Sequence, residues 1–260
     1  MGKDENGTET GNRINAVENA FTIIERMQEL EQCGVSELAD TLDIPKSTAH
    51  VYLKTLEELG YVVKENGRYR LSMRFLELGG LVRHNRSIYQ AARSEVDTLS
   101  QTTGEVGTIG YEEDGMRVLV YRSEPVEGVS DNAPTGEFTE MHWTAVGKVL
   151  LAQHTDEEVQ TIVKRHGLPT ATENTITELD ELLEEVAEIR TRGYAIEDEE
   201  RVTGIKSVAV PIAGNGSGSG NSAISIAGPK HRFGAERIEE ELLPELRNTA
   251  NVIELQSRHY

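Results

Sequence analysis

The chain has 260 residues, 45 of them acidic and 26 basic, for a formal net charge of −19. That length allows one large domain or two ordinary ones with a real hydrophobic core. No run approaches the ~18 apolar residues of a membrane-spanning helix, and the polar, acidic stretch Met1 to Thr10 is unlike a secretory signal. A lone Cys33 excludes a disulfide framework and a Cys-based zinc site. A cytoplasmic protein without membrane contact or cofactor is the expectation. Only eight of the basic residues are lysines. Excess carboxylate, scarce lysine and modest apolar content suit a halophilic protein, because molar salt shortens the screening length to ~3 Å and quiets self-repulsion.

Residues 1–14 read as a disordered acidic leader. Val17, Ala20, Phe21, Ile24, Met27 and Leu30 then recur at helical intervals, predicting an amphipathic helix over 15–31 that Gly34 closes. Ser36 is placed to cap a short second helix carrying Leu38, Ala39 and Leu42. Asp43-Ile44-Pro45 makes a turn into a third helix, with Pro45 near its first position and Gly60 as its stop. Two β-prone runs, Tyr61 to Lys64 and Arg68 to Leu71, flank Asn66-Gly67, a strong hairpin signal. Three helices and a tight hairpin over 15–72 make a winged helix-turn-helix, whose second and third helices form the reading unit.

Charge along the chain supports that reading. Residues 15–45 carry one base against seven acids, residues 46–85 seven bases against four acids, and residues 86–260 sixteen bases against 31 acids. The one locally basic stretch therefore coincides with the third helix and the hairpin, where a nucleic-acid surface belongs. At 100° per residue Ala49, Tyr52, Leu53, Leu56 and Leu59 form the core face of the third helix. Lys46, Ser47, His50, Val51 and Lys54 fall on the other side, a mixture suited to a major groove. Lys46 and Lys54 can neutralise phosphates, Ser47 and His50 can reach base edges, and Val51 can touch a thymine methyl. Thr48 stands beside this face, and Arg68 and Arg70 of the hairpin are expected along the backbone or minor groove.

Residues 73–86 read as a linker helix, and 87–103 as a further helix through Ile88, Ala91, Ala92, Val96 and Leu99. The period then changes: Val106 to Gly110 and Met116 to Arg122 are strands around a Glu112 to Gly115 turn. Helices follow over 144–153, 155–166 and 177–192, the last two from capping-box starts at Thr155 and Thr177. Lys206 to Ile212 and Ala223 to Ala227 are strands joined by a glycine-serine loop over 214–221. A final helix over 235–257 packs through Ile238, Leu242, Leu246, Val252 and Leu255. The whole is α+β, with an antiparallel sheet in the 87–260 domain.

Val35-Ser36-Glu37-Leu38-Ala39, Ile44 to His50, Leu53-Lys54-Thr55-Leu56, Gly60-Tyr61-Val62 and Tyr69-Arg70-Leu71 resemble the DNA-binding domain of IclR-family transcriptional regulators. His142 to Lys148, Gly193 to Gly204, Val208 to Ile212 and Ala223 to Pro229 are similar to that family's C-terminal signatures, so the resemblance spans about nine-tenths of the chain. It implies double-stranded DNA as partner and a GAF-like C-terminal domain that binds a small effector, often an organic acid. Carried over by position, the effector site would use the Ala145 and Val146 amides, Glu197, Ser207 and Ser225. Ala227 stands where the family has a second serine. Val51 replaces the family's frequent arginine after the histidine, which removes a guanine contact there. A homo-oligomer, dimer or tetramer, on a pseudo-palindromic operator is implied by an apolar stripe over 15–31 longer than one small domain uses.

The competing reading is an enzyme acting on a small acid in the C-terminal pocket. Gly147-Lys148 lacks the rest of a phosphate-binding loop. Glu197 to Glu200 reads as a solvated charge run rather than a cation site. His142 has no nucleophile or carboxylate pair beside it in sequence. Cys33 lacks the neighbouring cation a redox sensor needs.

Overall fold

The computed structural model describes residues 14–125, 133–213 and 222–257. The expected leader and glycine-serine loop lie outside these, apart from Ile14. The chain divides into two compact units between Leu81 and Val82.

In the first unit α1 (Asn15–Leu30), α2 (Val35–Leu42) and α3 (Lys46–Glu58) precede a hairpin of β1 (Val62–Glu65) and β2 (Arg68–Leu71). Ile23, Met27, Leu38, Ala49, Leu53, Leu56, Val62 and Tyr69 close its core. Asn66 and Gly67 both take positive φ, as a two-residue hairpin turn with right-handed twist demands. Cys33 is buried and pairs with Tyr69 through two backbone bonds of 2.9 and 2.8 Å. Burial, then the Glu37 charge, push its thiol up from the ordinary value, the opposite of a redox sensor. Three local expectations change. Gly34, not Ser36, is the N-cap of α2, and its N–H donates to the Glu37 carboxylate at 3.3 Å. Pro45 is the N-cap of α3, its carbonyl accepting from Thr48 and Ala49. Leu59 ends α3 on the exposed side, because the helix stops before completing another core-facing turn.

α4 (Arg74–His84) spans the division. The second unit runs α5 (Ser87–Thr103), β3 (Val106–Glu113), β4 (Met116–Ser123), β5 (Phe138–Glu140), α6 (Ala145–Leu151), α7 (Asp156–His166), α8 (Leu179–Arg192), β6 (Ala195–Asp198), β7 (Ile205–Ile212) and β8 (Ser222–Pro229). It ends in α9 (Ala235–Arg237), a π-helical stretch Ile238–Leu242, and α10 (Leu243–Ser257). The six strands form one antiparallel sheet in the order β5-β4-β3-β8-β7-β6. Ile109, Ile224, Ile226, Val208 and Val210 face α5 and α10 in one core cluster. The opposite pleat carries Ala195, Ala209 and Ala223, which pack with α6 and α8. Small side chains there bring α6 close to the sheet, and a Cβ at Gly110 would overlap Val146.

Two strands had no separate sequence signal. β5 has three residues, and β6 ends in the first two residues of the acidic run Glu197 to Glu200 read as solvated charge. Thr155 caps α7 with a full capping box, but Thr177 does not cap α8, which begins after Glu178 without a side-chain cap. In α10 the core positions after Leu246 are Ala250 and Ile253, steps of four and three, leaving Val252 half-buried and Leu255 exposed.

Candidate nucleic-acid interface and effector cleft

α3 turns Ala49, Leu53 and Leu56 into the core and leaves Lys46, Ser47, His50, Val51 and Lys54 exposed, with Thr48 half-buried at the edge. Val51 is 61 % exposed, an apolar side chain with nothing of its own chain to cover it. Lys54 lies 3.8 Å from Glu58, one turn on along the same helix. The hairpin arginines are differently placed. Arg68 donates to the Gln32 carbonyl at 2.6 Å and the Glu37 carboxylate at 2.9 Å. Arg70 donates to Glu65 at 2.5 Å, which holds that carboxyl below its ordinary range. Both arginine side chains are a third or more exposed, and such pairs add little to stability.

In the second unit, five of the six expected effector residues meet in one cleft. Val146, Glu197, Ser207, Ser225 and Ala227 line a small cleft that is partly open to solvent. Strand register explains it: Glu197 pairs with Ser207, Ser207 with Ala227, and Ser225 with Thr108, so one pleat carries them all. Ala145, expected to contribute its amide, is buried as the first residue of α6 and is not in the lining. Glu197 is 3 % exposed. It accepts from the Ser207 hydroxyl at 2.8 Å and from the Glu200 and Arg201 amides at 2.9 and 3.3 Å. Burial lifts its pKa from 4.5 to about 7, outweighing these hydrogen bonds. The Ser225 and Thr108 hydroxyls are 2.7 Å apart.

Sequence reasoning missed the cations of this cleft. Arg117, Arg122 and Arg201 all line it, with Thr108 and Thr144. Arg117 donates to Thr139 at 3.0 Å, and Arg201 reaches both carboxylate oxygens of Glu137 at 2.9 Å. A signal did exist in β4, where two arginines interrupt an otherwise apolar strand. α6 starts beside the cleft. Thr144 caps it by accepting from Gly147 N–H at 2.9 Å, and the first amides of a helix have no intrahelical acceptor. The cleft thus combines three arginines, paired with Glu137 and Glu124, with hydroxyls and a carboxyl whose pKa burial raises to about 7.

The acidic run does not converge on a cation. Asp198 pairs with Lys206 and Lys230, Glu199 with Lys230, and Glu200 with Lys148 at 2.7 Å. Nor is it simply solvated, since Glu197 and Glu200 are buried by the alternation of β6 and the turn after it. Lys148 is also fully buried and lies 3.5 Å from Glu185, joining α6, α8 and the turn after β6. Among the described residues no group of three or more His, Cys, Asp or Glu is placed to hold a metal ion. His142 is buried 3.1 Å from the Pro169 carbonyl, and burial pulls its pKa down; Trp143 donates to the same carbonyl at 2.7 Å. Both side chains serve that loop.

A winged helix-turn-helix followed by an α+β unit that carries a polar cleft is the architecture of a DNA-binding regulator. Comparison with known proteins agrees. The IclR helix-turn-helix domain matches residues 16–66, and the bacterial transcriptional regulator IclR C-terminal domain matches residues 81–255. The chain belongs to the IclR family of transcriptional regulators. It is 31 % identical to an HTH-type regulator named ArcR of Halobacterium salinarum over 252 residues, 94 % of each chain. It is 29 % identical to the regulator KdgR of Escherichia coli, over 87 % of each. The Thermotoga maritima IclR structure superposes with a TM-score of 0.74 at 29 % identity, covering 95 % of this chain and 99 % of that one. An IclR homolog from Microbacterium hydrocarbonoxydans, complexed with 4-hydroxybenzoate, shares the fold at a TM-score of 0.77 and 22 % identity, over 93 % of this chain and all of that one. The protein is a DNA-binding transcriptional regulator of this family, and not an enzyme. Among the described residues no helix is long and apolar enough to cross a membrane.

Proposed function

We propose that the exposed face of α3 reads operator DNA and that the cleft of the second unit takes a small polar anion, an organic or sugar-derived acid, as effector. The observation that carries this reading is the set of guanidinium groups and hydroxyls lining the cleft around Glu197, Ser207 and Ser225. Val146 supplies backbone at the helix start, and Ala227 leaves room where a hydroxyl would otherwise stand. On the DNA side Lys46 and Lys54 contact phosphates, Ser47, Thr48, His50 and Val51 face the bases, and Arg68 and Arg70 trade their carboxylate partners for the backbone. Domains over 15–72 and 87–260, with the helix of 73–86 between them, divide the two tasks. Two copies bind a pseudo-palindromic site in a cytoplasm of high ionic strength; the charge of −19 supports that setting.

Two measurements test it. Lys54→Ala should weaken binding to every DNA sequence about equally, while His50→Ala or Val51→Ala should change base preference; a Lys54 variant that alters preference alone would reverse the assigned face. Titration calorimetry with small carboxylates should show Ser225→Ala losing about tenfold in affinity, a hydrogen bond's worth to an anion. Unchanged affinity removes Ser225 from the site.

A further inference from the structure

The ion pair between Glu137 and Arg201 joins two places that the strand order sets farthest apart. Glu137 immediately precedes β5 and is fixed to β4: its carbonyl accepts from Leu119 N–H at 2.9 Å, and Gly136 N–H donates to the Leu119 carbonyl at 2.7 Å. Arg201 follows β6 by three residues, its amide bonded to Glu197 at 3.3 Å. β5 and β6 are the outermost strands of the six. In a flat sheet, five spacings of about 4.8 Å would hold them about 24 Å apart, far beyond the reach of one glutamate and one arginine. Yet Arg201 Nη2 lies 2.9 Å from both carboxylate oxygens. The sheet is therefore curled until its two edges face one another, and this pair ties them.

The tie touches the effector cleft at one end. Arg201 lines that cleft, and Glu137 also lies 3.5 Å from Arg117, a second lining residue on β4. The Arg201 and Glu137 side chains are 19 % and 23 % exposed, sheltered enough to hold a defined geometry yet still within reach of water. Resting on the reading of this cleft as the effector site, we propose that the Glu137–Arg201 pair is a strap across its mouth: intact, it holds the two sheet edges together over the cleft, and its breakage opens the path by which a ligand enters and leaves.

The test measures access to the cleft floor without any effector. In the full chain, Ser225→Cys places a thiol on the lining, and Cys33→Ala removes the native one. The rate of modification by N-ethylmaleimide, followed by mass spectrometry at high ionic strength, then reports opening. Glu137→Gln and Arg201→Gln should each raise that rate about fivefold, the effect expected of losing a partly sheltered ion pair. Glu137→Asp, a milder variant, should fall between. Rates for Glu137→Gln and Arg201→Gln equal to the parent's overturn the strap. An effector bound elsewhere would instead show itself in unchanged Ser225→Ala calorimetry, with these labelling rates unaffected.

Discussion

Glu197 lies on the inward pleat of β6, and its environment sets its proton affinity. Burial lifts its pKa from 4.5 to about 7, and the neighbouring Glu200 charge adds to the lift. Between those values the folded chain keeps a proton that the unfolded chain releases. Its contribution to stability is therefore complete below about pH 4.5, declines as pH rises towards 7, and levels off above that, a loss on the order of 3 kcal/mol. Glu197→Gln should flatten this slope in urea titrations compared between about pH 5 and pH 8. The same proton matters to ligand binding, since an uncharged Glu197 does not repel an anion beside it. Affinity of the parent protein for a carboxylate should fall between about pH 6 and pH 8, and the Gln variant should lose that fall. Glu197 could be found from sequence only through its place in the family motif. Its neighbours in the run, Asp198 and Glu199, are surface ion-pair partners of Lys230, and nothing in four consecutive acids marks which of them turns inward.

At the scale of elements, α6 is the piece that shapes the cleft, and close backbone approach holds it in place. A Cβ on Gly147 would overlap the carbonyl and Cα of Met141, main-chain atoms that have no rotamer to escape into. Gly147→Ala should cost about 3 kcal/mol or more, read as an earlier urea midpoint for the second unit, with the DNA-binding unit's midpoint unchanged. Helices such as α5 were legible because five apolar residues at helical spacing all had to be buried, and all five are. The hairpin of β1 and β2 was legible because Asn66-Gly67 satisfies a turn that few other dipeptides can. β5 and β6 were not: each is a short edge strand whose identity comes from the partner it meets, a contact distant in sequence. For the same reason the backbone side of the cleft was legible through motifs, whereas Arg117 and Arg201 are brought together only by the curl of the sheet.

Across the molecule, the surface distribution of apolar side chains points to self-association. On α1, Val17 and Phe21 are 51 % and 58 % exposed while Ile23 and Met27 fill the core, and on α4 Leu76, Leu78, Leu81 and Val82 are all exposed. Such stripes on a chain of charge −19 need covering. Phe21→Lys with Leu81→Glu should shift the protein to monomer in sedimentation velocity and weaken binding to a two-half-site operator far more than to a single half-site. The chain has one tryptophan, Trp143, anchored on the Pro169 carbonyl and three residues from Val146 on the cleft wall. Indole emission responds to local polarity, and this protein has no second indole to blur it. Filling of the cleft should therefore shift the intrinsic fluorescence of the unlabelled protein, a readout against which a metabolite library can be screened.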